Sequence, residues 1–201
     1  MKLATKFLQA IDLSSKLSLV KRAVRYRVGH VENDAEHSYQ VALVAWALNY
    51  QYKLNFSDEK ILKLALVHDL VEVYAGDVDA HSNKKNQHNK KTKEKEALRQ
   101  LQKNYSQLKE IIREIEEYEK KESLESQLVN ITDKIIPVRH AYHINDQYYK
   151  QRKTTADDWI NWLYAKVDYA SLSPKLKLIV DETVEEVHTK YKKLFFERSA
   201  G

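Results

Sequence analysis

Along most of the chain, apolar residues recur every three or four positions, the spacing of one face of an α-helix. The spacing predicts a helix over 3–13 and a further helical turn around 15–22. A basic connector, KRAVRYRVGHVEND, separates these from a long helix expected over 35–52. Asn33, with Glu36 three positions later, has the chemistry of a capping box at the start of that helix. NFSDEK marks another start, with Ser57 or Asp58 as cap. This helix is expected to run through LALVHDLVEVYAGD and stop at Gly76. Residues 81–93, HSNKKNQHNKKTK, have no apolar period and are expected to form a loop. A charged helical region follows over 92–122, broken near Asn104. A helix capped by Ser123 then carries LVNITDKIIPV and is expected to kink or end near Pro137. TADDWINWLYAKVDYA and SPKLKLIVDETVEEVHTKYKKLF supply two more.

Three glycines and two prolines in 201 residues are too few for the turns of a sheet protein. The expected fold class is all-α, a single bundle of six to eight helices without internal repeat or second domain.

Composition narrows the class further. A hydrophobic share of 43% and a charged share of 31% suit a globular chain with a sizeable core. There are no cysteines, which excludes disulfides and thiolate metal sites and suits a reducing, cytoplasmic setting. The N-terminal stretch lacks the unbroken apolar core of a leader peptide, and no run approaches the ~18 apolar residues of a membrane span. The net charge of +5 favours anionic partners only mildly, because basic and acidic residues are interleaved almost everywhere.

The chemistry sits where polar residues interrupt apolar faces. His37 lies in line with Val41, Val44 and Leu48 on the 35–52 helix. His68, Asp69 and Glu72 interrupt a segment that is otherwise apolar nearly all round, and on a continuous helix His68 and Glu72 stand one above the other. Asp133 aligns with Val129 and Ile136. Each has an ordinary explanation when taken alone: a core histidine bonded to backbone, a capping aspartate, a chance His-Asp pair. Together, two imidazoles and two carboxylates form a nitrogen and oxygen donor set. Such a set suits Mn, Fe, Co, Ni or Zn, and Mg less naturally. A bound cation would explain why buried charge is tolerated.

The order His37, His68-Asp69, Asp133 resembles the H…HD…D signature of the HD-domain metal-dependent phosphohydrolases. ENDAEHSYQVALVAWAL, VHDLVEVYAGD and ITDKIIPV resemble the bacterial 5′-deoxynucleotidases of the YfbR type and their HD-domain relatives. The resemblance is dense from Arg22 to Asp79 and returns around Asp133. It implies one HD domain over 1–201, with a metal-site core at about 22–140 and C-terminal helices at 155–197 packing on it. It implies that His37, His68, Asp69 and Asp133 bind one divalent ion, and that the activity is phosphate-ester hydrolysis on a small nucleotide, by a homodimer. Glu72 would orient or deprotonate the attacking water. Asp77 would contact substrate, with a catalytic share, and Arg22 would orient the phosphate through its bidentate donors, a task for which Lys21, Arg25 and Arg27 are neighbouring candidates.

Two departures bear on specificity. Ala23 stands where the nucleotidases have a tryptophan, and VDAHSNKKNQHNKK replaces their proline-containing segment. Deoxyribose and base preference are therefore not carried over. His140 and His143 lack a matching upstream pair and are read as ordinary. Trp159, Trp162, Tyr164 and Tyr169 are read as core or dimer interface. Two other readings stay open. One keeps the metal but makes the chain a nucleotide triphosphohydrolase or phosphodiesterase. The other makes it a non-catalytic basic module for nucleic acid, which lacks any recognition helix or RNA-binding signature in this sequence.

Overall fold

The computed structural model describes residues 3–23, 29–77 and 84–197, with side chains in the helix beginning at Lys84 described from Thr92 onward. Apart from an antiparallel bridge between Lys21 and Asn33, the regular structure of these residues is helical. The all-α class read from the periodicity is the observed one.

Helix α1 (Leu3–Leu17) is continuous where a break near residue 14 was expected. Its buried Leu13 and Leu17 continue one seam, and Ser14 satisfies its hydroxyl on the Ile11 carbonyl without interrupting the helix. Helix α2 (Asp34–Gln51) begins with the expected capping box. The Asn33 side chain accepts from the N–H groups of Ala35 and Glu36, and the Glu36 carboxylate accepts from the Asn33 N–H at 3.0 Å.

Helix α3 (Asp58–Val67) starts at Ser57, whose hydroxyl accepts from Lys60 N–H. It does not run unbroken to Gly76. Beyond Val67 the backbone tightens, and the N–H groups of Leu70, Glu72 and Val73 reach carbonyls three residues back, at 3.0, 2.9 and 3.3 Å. A four-residue helix α4 (Glu72–Ala75) follows and ends at Gly76, where φ is +71°. With three residues per turn, positions i and i+3 eclipse. Asp69 and Glu72 therefore share a side, in place of the expected pairing of His68 with Glu72.

Helix α5 (Lys84–Asn104) corrects the expected loop over 81–93. From Lys84 the segment is helical, and residues 81–83 lie outside the described residues. Its later half buries Ala97 and Leu101. Once that seam is docked, lysine and glutamine extend the helix backwards at little cost. Helix α6 (Lys109–Lys120) packs against α3. Helix α7 (Leu124–Ile144), capped by Ser123, continues through Pro137 instead of ending there. Proline has no N–H to give the carbonyl four residues back, and that carbonyl belongs to Asp133. Helices α8 (Tyr148–Gln151), α9 (Ala156–Lys166) and α10 (Pro174–Glu186) follow, and α10 continues into a π-helical turn (Val187–Tyr191) and a 3-10 turn (Lys192–Leu194).

The buried apolar residues form two clusters. One joins α2, α3, α7, α9 and α10, with Val41, Ala45, Leu64, Ile131, Trp159 and Leu176 among them. The other joins α1, α5 and α6 through Leu13, Leu101 and Ile115. Leu64 and Ala65 belong to the first cluster, and Val67, Leu70 and Val71 to the second. His68 and Asp69 therefore sit at the seam. Trp159 is 1% exposed, which places it in the core. No helix among the described residues is long and apolar enough to cross a membrane.

Candidate metal centre

The first turn of α2, the seam after α3 and the middle of α7 bring His37, His68, Asp69 and Asp133 together. His37 is fully buried, and its Nε2 is 3.0 Å from Asp133 Oδ1. Its Nδ1 points away, toward Glu32 Oε2 at 3.5 Å. His68 Nδ1 lies 2.7 Å from the carbonyl of Ala65. A carbonyl only accepts, so Nδ1 carries a proton and Nε2 is the nitrogen that faces the site. That Nε2 is 3.1 Å from Asp69 Oδ2, and the two rings are 5.4 Å apart. Tyr118 meets His68 edge-on at 5.6 Å from behind.

Arg22 enters from the connector. Its backbone N–H donates to Glu32 O at 2.9 Å, and Asp34 N–H donates to Val20 O at 3.2 Å. This short ladder fixes where the guanidinium reaches. Nη1 is 2.7 Å from Asp69 Oδ2 and 3.2 Å from Asp34 Oδ1, Nη2 is 3.8 Å from Asp133 Oδ1, and Nε is 3.4 Å from Glu32 Oε2. Lys134 Nζ pairs with the other oxygen of Asp133. Glu72 is buried, and ligand atoms of Asp34, Asp69 and Glu72 lie within 4.8 Å of one another. Asp77 lies at the edge, where its Oδ2 accepts from the Ala23 N–H at 3.2 Å. Arg25 and Arg27, the neighbouring candidates for the role of Arg22, lie outside the described residues.

Five buried carboxylates, those of Glu32, Asp34, Asp69, Glu72 and Asp133, crowd two cations, Arg22 and Lys134. The titration directions follow. Burial, reinforced by the charge of Asp69, pushes Asp34 up to about 7. Burial and the charges of Asp69, Asp34 and Asp77 push Glu72 well above the carboxylate range. Burial works against ionised Asp69 and Asp133 as well. It is overcome by His68 and Arg22 at Asp69, and by Lys134 and His37 at Asp133, so both are held low. Burial also opposes a charged His37, but hydrogen bonds to Asp133 and Glu32 hold its pKa above the usual value.

A divalent cation fits these residues. His68 Nε2 and Asp34 Oδ2 are buried without a hydrogen-bond partner, an expensive condition that a cation would relieve. His37, His68 and Asp69 each offer a ligand atom within 4.8 Å of the others. Both imidazoles direct Nε2 inward; His68 anchors its Nδ1 on the Ala65 carbonyl, the arrangement that orients histidine ligands in metal sites, while His37 Nδ1 faces Glu32 Oε2 at 3.5 Å.

Glu32, Asp34 and Lys134 were not singled out from the sequence. A signal existed for the first two. Residues 32 and 34 flank the cap Asn33 in extended backbone, so their side chains share one side. His140, read as ordinary, has its Nδ1 3.8 Å from Glu32 Oε1, outside the two candidate ligand groups.

Comparison with known proteins adds the following. Residues 14–172 match a family described as "HD domain". A "5′-deoxynucleotidase" of Yersinia pestis (strain Pestoides F) is 39% identical over 94 residues, covering 43% of this chain and 48% of that protein. The chain therefore spans about half the length of the curated relatives it matches. A "predicted metal-dependent phosphohydrolase" from Magnetospirillum magnetotacticum MS-1 has a similar fold, with a TM-score of 0.76 and 21% identity over 96% of this chain and 98% of that one. A "conserved hypothetical protein" from Pyrococcus furiosus follows, with a TM-score of 0.64 and 29% identity over 89% and 99%.

Proposed function

Because this chain belongs to the HD-domain family, we propose that it is a divalent-metal-dependent phosphohydrolase that releases phosphate from (deoxy)ribonucleoside 5′-monophosphates. The observation that carries the proposal is the convergence of two buried imidazole Nε2 atoms on Asp69 and Asp133, with His68 Nε2 unsatisfied. The partial likeness to 5′-deoxynucleotidases supports the monophosphate substrate.

In this reading His37, His68, Asp69 and Asp133 hold the ion. When bound, it supplies Lewis acidity, acidifying water and neutralising phosphate charge. Glu72, buried beside Asp69 and Asp34, takes the proton of the attacking water. Arg22 presents its planar donors to the phosphate. Asp77, bonded to the backbone of Ala23, fixes the loop that carries Arg22 and faces substrate at the edge of the site.

A phosphate-release screen over ribo- and deoxyribonucleoside monophosphates, with Mn, Co, Mg and Zn, tests this. Metal-dependent release from a monophosphate is the expected result. Turnover of triphosphates or phosphodiesters with none from monophosphates would replace the substrate assignment. Salt-sensitive nucleic-acid binding that survives loss of Asp69, without hydrolysis, would replace the enzyme reading.

Glu32 gives a separate prediction. Its Oε2 lies 3.4 Å from Arg22 Nε and 3.5 Å from His37 Nδ1, and Gln40 donates to its Oε1 at 2.9 Å. Glu32→Gln should keep the fold and weaken metal affinity about 10–100-fold, the usual effect of losing a carboxylate behind a histidine ligand. A metal titration checks this, and unchanged affinity would remove Glu32 from the support of His37.

A further inference from the structure

Asp34 is fully buried at the site but lies outside the group formed by His37, His68 and Asp69. It is the first residue of helix α2, and its Oδ2 accepts no hydrogen bond. Its backbone N–H donates to the Val20 carbonyl beside the Lys21–Asn33 bridge, so the side chain is aimed by the same short ladder that aims Arg22. A buried ion pair adds little to stability that an apolar residue of similar volume would not, so stability alone does not explain this carboxylate. Its contact with Arg22 does: Oδ1 accepts from Nη1 at 3.2 Å.

Four carboxylates face the Arg22 guanidinium. Asp69 Oδ2 is at 2.7 Å and Asp133 Oδ1 at 3.8 Å, and both residues belong to the proposed ion ligands. Asp34 Oδ1 is at 3.2 Å and Glu32 Oε2 at 3.4 Å, and neither residue does. Nε, which faces Glu32, makes no hydrogen bond. Among the described residues, Asp34 is therefore the hydrogen-bonded side-chain partner of Arg22 outside the ligand set. Nη1 has two N–H groups and divides them between Asp69 and Asp34. A carboxylate oxygen that ligates a divalent ion is a weaker acceptor for a guanidinium, because the two cations repel across it. The hold of Asp69 on Arg22 is thus the one that loading of the site loosens, and the hold of Asp34 is the one that persists. Nη2 comes no closer than 3.8 Å to a carboxylate among the described residues, and is the end of the fork left to an anion.

We propose that Asp34 is a positioning residue: it keeps Arg22 in place while Asp69 serves the ion, leaves Nη2 for the phosphate, and so sets the affinity for the phosphate group without binding the ion. The inference rests on the reading of Arg22 as the arginine that meets the phosphate.

Inorganic phosphate is the probe. Asparagine keeps the shape of aspartate and loses its charge. Calorimetry on the Mn²⁺-saturated chain should therefore give a phosphate dissociation constant about tenfold higher for Asp34→Asn than for wild type. Asp34→Ser, a smaller uncharged side chain, should repeat the result, and circular dichroism checks the fold of both. Mn²⁺ affinity, titrated without phosphate, should change by less than about threefold, whereas damage to the ion site would lower both affinities. Arg22→Gln should weaken phosphate binding at least as much. Adding Asp34→Asn to it should change phosphate affinity no further, the mark of a residue that acts through another. A loaded wild type that binds no phosphate, equal phosphate affinity in wild type and both Asp34 variants, a matching loss of Mn²⁺ affinity, or effects that add to those of Arg22→Gln would each overturn the proposal. None of these readouts needs turnover. A chain that binds phosphate in this Asp34-dependent way, yet releases none from monophosphates, would support the role of Asp34 and remove the enzymatic reading.

Discussion

Asp69→Ala should give a folded protein that retains no divalent ion and has lost at least about 10³-fold in phosphate release, some 4 kcal/mol of barrier. Asp69 is the residue most shared within the site. Its Oδ2 faces both His68 Nε2 and Arg22 Nη1, and it belongs to both candidate ligand groups, one with His37 and His68 and the other with Asp34 and Glu72. On the proposed assignment, its removal takes away an ion ligand and also the anchor of the arginine assigned to the phosphate. Circular dichroism checks the fold, elemental analysis the ion, and a phosphate assay the rate. A metal-free Asp69→Ala protein with wild-type turnover would falsify the assignment of metal-dependent chemistry to this cluster.

Glu72→Gln should separate the proton role from the metal role. Glutamine keeps the shape and can hydrogen bond, but it cannot take a proton from water. Glu72 opens the short helix α4, behind Asp69 and beside Asp34, and is not in the group formed by His37, His68 and Asp69. Metal content should therefore stay near one ion per chain while turnover falls about 10²–10⁴-fold, the range for a lost general base. The Michaelis constant should move little, because Arg22 and the ion ligands remain. Unchanged turnover would take Glu72 out of the chemistry, and a parallel loss of metal would make it a ligand.

How far the sequence carried the reading depended on how local each feature is. The capping box at Asn33 and Glu36 and the caps at Ser57 and Ser123 depend on residues three apart, and each stands where the pattern placed it. The convergence of His37, His68, Asp69 and Asp133 was legible because each interrupts an apolar face, and apolar faces meet in the core. The tightening after Val67 was not legible. It depends on His68 and Asp69 lying between two packed clusters, and tertiary packing there overrides the continuous helical period. The helix from Lys84 was hidden because its polar half has no apolar period; it extends from a seam at Ala97 and Leu101 that only docking reveals. Pro137 was read as a kink or an end because its lost hydrogen bond is a local cost, whereas buried neighbours on both sides, Ile135, Ile136 and Val138, keep α7 continuous. Glu32 and Asp34 act across a bridge to Lys21 and Arg22, and such a partner is not visible along a helical wheel.

The central claim is that these buried side chains form a binding site for one divalent cation. Anomalous diffraction from crystals equilibrated with Mn²⁺, recorded at the manganese edge, tests it most directly. The expected result is one peak per chain within coordination distance of the Nε2 atoms of His37 and His68 and of the carboxylates of Asp69 and Asp133. A map with no peak there, or with manganese bound only away from these four residues, would contradict the account.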